Sequence, residues 1–144
     1  MAGGQKVRVL RAEAAKLRGD VLFRSPRHAQ EVLIRILRSR WWRLRYPALA
    51  FVEVRWGRDS GVRASGDGDP PRLVLGRSQR RLKLLLHETA HLISQVRGLE
   101  EPEHGPRFAA IYLQLVRRFI GIEAYRELRR RFRYYSVSIA RFGR

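Results

Sequence analysis

The chain contains no cysteine. That one absence excludes disulfides, Cys-ligated zinc and thiol nucleophiles together. Long apolar runs are missing too, and none approaches the ~20 residues a membrane-spanning helix needs. The first ten residues, MAGGQKVRVL, lack the apolar core of a secretion signal. The residue after Met1 is Ala2, where N-myristoylation requires glycine. A cytoplasmic location and no membrane contact are therefore expected. Acids are scarce, at 13 against 31 bases, and only 3 of those bases, Lys6, Lys16 and Lys83, are lysines.

The remaining composition is that of a folded protein. Hydrophobic residues make up 44% of the chain, which excludes wholesale disorder. At 144 residues it is expected to form one domain, with residues 1–5 and about 140–144 frayed or disordered. The net charge of +18 is unevenly placed. Residues 1–58 carry 14 bases and 4 acids, residues 59–116 carry 8 and 7, and residues 117–144 carry 9 and 2. Two strongly basic flanks enclose a near-neutral middle. Such flanks suit a polyanion, DNA or RNA. A GC-rich genome would account for the preference for arginine over lysine, but not for the net charge.

Periodicity and punctuation divide the chain into elements. Val7, Val9 and Leu10 suit a short strand, or the approach to a helix through Ala12–Leu17. Ser25-Pro26 reads as an N-cap and first-turn proline, and Ala29, Val32, Leu33, Ile36 and Leu37 continue at helical spacing to about residue 40. Trp41-Trp42, with Arg40, Arg43 and Arg45 around them, suit either the edge of a core or stacking on nucleic acid. Strands are expected over 50–56, around Val62–Ala64 and over 72–75. Turn residues from Gly57 to Pro71 separate the first from the last, and Asp67 and Asp69 there read as turn residues. A helix is expected from Ser78, as N-cap, to Arg97, stopped by Gly98. Two more follow, at 107–120 and, after Gly121, at 122–133. His28 is expected at the surface. The pattern predicts an α+β fold: a small antiparallel or mixed sheet packed on the Ser78–Arg97 helix and two or three others.

That helix contains His87-Glu88-Thr89-Ala90-His91. Histidines four apart share a helix face, so their ring nitrogens can meet one metal ion. Glu88 projects about 100° round the helix, beside such an ion instead of onto it. That is the place for a general base acting on water. From composition, chance produces this pattern in such a chain on the order of 1% of the time. A lone histidine on an apolar face is more often a satisfied core residue. Here two histidines and a glutamate fall together among leucines, and a metal would partner all three groups, whose unpaired burial costs several kcal/mol.

Catalytic zinc takes three protein ligands and leaves a fourth position open. His104 is the leading third candidate, since the loop holding Gly98 and Pro102 can reverse the chain. Glu100, Glu101, Glu103 and Glu123 are its rivals. The metzincin positions for a glycine and a third histidine hold Ser94 and Arg97 instead.

LLLHETAHLI followed by EHGPRF resembles the SprT-like zinc metallopeptidases, the group that includes Spartan. Over the whole chain, including RLVLG, the sequence looks more like small metallohydrolases from actinobacteria and their phages. The resemblance is strong over about 72–116. It implies a minimal zincin fold, His87, His91 and His104 as ligands of one Zn2+, and Glu88 as base. The Cys-type zinc ribbon of many SprT proteins has no counterpart here. The implied reaction is hydrolysis of a protein or peptide, with nucleic-acid-associated proteins as substrates suggested by kinship and charge. Tyr112, Arg107, Tyr134 and Tyr135 are candidates to stabilise an oxyanion or touch substrate. Two other readings stay open: a nucleic-acid-binding module with a structural metal, and a phage regulatory peptidase with one cognate substrate.

Overall fold

A computed structural model describes residues 2–63, 69–99 and 104–141. Among them are six helices and one three-stranded mixed sheet, an α+β fold. The chain forms two compact units, residues 21–92 and residues 1–20 with 93–144, and the division falls inside one continuous helix. No described helix is long and apolar enough to cross a membrane.

In the 21–92 unit, α1 being the helix of the other unit described below, α2 spans Pro26–Arg38. Ser25 caps it: its Oγ accepts from the His28 N–H at 3.1 Å, and Pro26 opens the first turn. His28 reaches back, its Nδ1 accepting from the Arg24 N–H at 3.1 Å while its ring meets Phe23 edge-on. It is half-buried, with a capping role the surface expectation did not include. Ala29, Leu33, Ile36 and Leu37 form the buried stripe.

The helix does not run to residue 40. Ser39 ends it by donating its Oγ–H to the Ile36 carbonyl, and accepts from the Trp42 N–H to start a separate helix, α3, Arg40–Arg45. Trp42 is buried, its Nε1–H donating to the Leu49 carbonyl at 2.9 Å. Trp41 is half-buried under the Arg45 guanidinium. The tryptophan pair thus seals a core edge.

Strands β1 (Glu53–Trp56), β2 (Gly61–Arg63) and β3 (Arg72–Leu75) lie in the order β1-β3-β2. β1 pairs with β3 in parallel, Glu53 opposite Arg72, and β2 pairs with β3 antiparallel. Leu73 and Leu75 turn inward in alternation. Gly57 is required where β1 ends, because a Cβ there would stand 2.4 Å from Val74 Cγ1. The expected strand at Val62–Ala64 is β2; Ala64 and Asp67 lie outside the described residues.

Edge strand β1 is satisfied by a side chain. The Gln30 amide donates to the Val52 carbonyl at 3.0 Å and accepts from the Val54 N–H at 2.8 Å, as a neighbouring strand would.

The second unit corrects the expectation for the N-terminus. Residues 2–5 are helical instead of frayed, and of the two readings for Val7, Val9 and Leu10 the helical one holds: all lie in helix α1, Ala2–Glu13, which ends before the expected Leu17. Its buried positions, Gln5, Val9, Ala12 and Glu13, recur at helical spacing. α1 packs on helix α6, Ile122–Tyr134, and Arg131 of α6 donates to the Ala12 carbonyl at 2.8 Å, capping the C-terminal end of α1. Gln5 repeats the Gln30 device, pairing both amide ends with the Ser138 backbone.

α5 (Pro106–Phe119) and α6 (Ile122–Tyr134) follow the expected boundaries, broken at Gly121. The stripe of α6 is Ala124, Leu128 and Phe132, with Tyr125 only half-buried. α6 closes in a Schellman turn: Val137 N–H to the Phe132 carbonyl at 2.8 Å and Ser136 N–H to the Arg133 carbonyl at 3.1 Å. Ser136 takes the left-handed position, φ 57°.

Two stability changes are expected. Gln30→Ala strips both bonds from the β1 edge and lowers unfolding free energy by about 1–3 kcal/mol. Ser136→Gly removes a left-handed cost of roughly 1–2 kcal/mol against a glycine entropy cost of roughly 0.5–1 kcal/mol, so it stabilises by about 0.5–1 kcal/mol. Urea unfolding of the two variants against the parent measures both.

Candidate metal centre

Helix α4 spans Leu82–Val96. It begins four residues after Ser78, which therefore does not cap it. Residues 76–81 form a turn instead, and Arg81 makes an isolated bridge to Leu22. Leu82–Ala90 is buried at every position, so the helix has no solvent face over its first turns. Within that stretch lie Lys83, His87, Glu88 and Thr89. Thr89 turns its hydroxyl back to the Leu85 carbonyl at 2.7 Å. The rings of His87 and His91 are 4.9 Å apart, the neighbourhood that i, i+4 spacing dictates.

Gly98 ends α4 in a second Schellman turn, with Leu99 N–H to the Ser94 carbonyl and Gly98 N–H to the Gln95 carbonyl, both 3.1 Å. Its φ of 63° is the left-handed value the sequence required of a stop residue. The chain returns at His104, which itself has φ 61° and is 3% exposed. A left-handed histidine is uncommon, and such strain gathers at functional sites. Gly105 and Pro106 then launch α5.

The structure brings His87, His91 and His104 together. One ring nitrogen from each lies within 4.8 Å of the others. The chain holds 4 histidines, so all but His28 take part. Tetrahedral bonds of about 2.0–2.1 Å place ligand nitrogens roughly 3.4 Å apart, so at most about 1.4 Å remains to close through side-chain torsions. Three imidazoles, with no thiolate and no carboxylate among them, suit a borderline divalent ion such as zinc, not Mg2+ or Ca2+, which demand oxygen. These residues fit the ion.

Glu123 is at the surface, 3.1 Å from Arg18. Glu100, Glu101 and Glu103 lie outside the described residues. Tyr112 is fully buried in a ring ladder, Phe108 on one side at 5.8 Å and Phe132 on the other at 6.3 Å, with His104 against Phe108 at 4.8 Å. Its ring is a core element two rings along from His104. Arg107 is exposed in the first turn of α5. Tyr134 and Tyr135 close α6 and stack edge-on with each other. Lys83, a buried cation that the sequence reading did not single out, lies one turn before His87 on the same helix face and is 7% exposed. Its i−4 spacing from His87 was the available signal.

Comparison with protein-family models, curated proteins and solved structures returns no match.

Removing one imidazole should weaken metal binding sharply. His104→Ala is expected to lower zinc affinity about 100-fold or more in competition with a chromophoric chelator, since three ligands become two. His28→Ala and Glu123→Ala should leave it within about twofold.

Proposed function

We propose that the protein is a zinc-dependent peptidase or related amide hydrolase acting on protein or peptide substrates. The carrying observation is the convergence of three of the four histidines, with Glu88 buried one residue from the first of them. His87, His91 and His104 would hold the ion and leave one position open. When bound, zinc supplies Lewis acidity, polarising a carbonyl and acidifying water.

Glu88 does the proton work. Its carboxylate takes a proton from water as the new C–O bond forms, then delivers it to the amine nitrogen as the C–N bond breaks. Helix geometry favours that role: a residue about 100° from His87 can approach the open position without becoming a ligand. The resemblance to SprT-like metallopeptidases over about 72–116 favours the same reaction.

The test is Glu88→Gln. The variant should retain one equivalent of zinc by elemental analysis and lose cleavage of a peptide library by about 10²–10⁴-fold. Cleavage at the parental rate sinks the proposal, as does parental activity that survives exhaustive chelation.

A further inference from the structure

The outer face of α6 has no part in the chemistry above, yet it carries an ordered row of charge. Arg126, Arg129, Arg130 and Arg133 recur at i, i+3, i+4 and i+7, so they share one helix face. All four are exposed, directly opposite the buried Ala124, Leu128 and Phe132. Arg130 is committed to Glu127, with hydrogen bonds of 2.7 and 3.2 Å. Arg126, Arg129 and Arg133 form no ion pair or side-chain hydrogen bond among the described residues. Their guanidiniums are left to solvent.

An aromatic ring completes the face. Tyr134, one turn beyond Arg130, is 78% exposed, although large aromatics are usually covered. Its ring stands edge-on to Tyr135 at 4.9 Å, and Tyr135 lies under the Arg131 guanidinium at 5.7 Å. Arg131 is anchored in turn to the Ala12 carbonyl. The exposed ring therefore rests on a braced neighbour.

We propose that this face binds single-stranded nucleic acid, with backbone phosphates on Arg126, Arg129 and Arg133 and an unpaired base stacked on Tyr134. The arginine row covers about 10 Å of helix, the reach of about three phosphates along a strand. Arginine's planar fork matches phosphate oxygens, and an aromatic ring offers a platform that an acidic peptide would not use. A duplex keeps its bases stacked internally and leaves Tyr134 without a role.

Fluorescence anisotropy with a labelled thymidine 20-mer and a 20-base-pair duplex tests this, on protein free of added metal, so the outcome does not depend on the hydrolase reading. The Arg126→Ala/Arg129→Ala/Arg133→Ala variant should bind the single strand at least tenfold more weakly, and its slope of log affinity against log salt should fall by about 2. Tyr134→Ala should lose about fivefold or more. Arg35→Ala/Arg38→Ala/Arg43→Ala, which removes equal charge from exposed positions of the other unit, should lose less than threefold. The proposal is overturned if the two triple variants weaken binding equally, if Tyr134→Ala binds as the parent does, or if the duplex binds more tightly than the single strand. All seven positions are exposed or half-buried on solvent faces, and circular dichroism confirms that each variant is folded.

Discussion

Helix α4 is buried on every side through nine successive residues, Leu82–Ala90, and four of the nine are polar or charged. This is the constraint around which the candidate site is organised. Burying apolar leucines contributes roughly 1.5–3 kcal/mol each. Burying an imidazole or a carboxylate costs several kcal/mol unless it is partnered. A helix that needed only to fill a core would carry neither His87 nor Glu88. The leucines fix the helix in place and thereby fix the directions of the histidines. The positions of the His87 and His91 rings on one face follow from helix packing, not from loop conformation.

The third imidazole is positioned differently. His104 precedes α5, in a backbone conformation that disfavours side chains with a Cβ. Its ring packs on Phe108, which packs on Tyr112 and through it on Phe132. The aromatic ladder supplies the burial that can offset a left-handed residue. Tyr112, a candidate for substrate contact in the sequence, thus has a structural role in that support.

The helices that carry their own punctuation were legible in advance. Ser25-Pro26 and Gly98 are signals independent of the fold, and α2 and the end of α4 follow them. The candidate metal ligands on α4 were legible because spacing alone puts His87 and His91 on one face. His104 was legible only as a candidate, because no sequence rule states how a loop returns. What escaped were elements held by distant partners. α1 carries two glycines, Gly3 and Gly4, in its first turn, which oppose a helix by about 1 kcal/mol each, and it is stabilised by Arg131 and Ser138, more than a hundred residues away. α3 escaped because one serine both ends a helix and starts another. The true start of α4 depends on Leu22, to which Arg81 bridges.

The chain repeatedly uses side chains where larger proteins use further backbone. Gln30 stands in for a strand beside β1, Gln5 clips Ser138, and Arg131 caps α1. Each costs side-chain entropy of about 1.5–2 kcal/mol and returns two hydrogen bonds, so the net gain is small. Their value is in register: a carboxamide matches a peptide group at one position only. The same economy explains α6. Its arginines repel at i, i+3 and i+4 by a few tenths of a kcal/mol per pair. The three-residue buried stripe and the favourable position of cations near a helix C-terminus outweigh that repulsion. Arg131 and Arg130 suffice for capping and pairing. The three remaining guanidiniums add repulsion without an internal partner, so stability alone does not account for their alignment on one face.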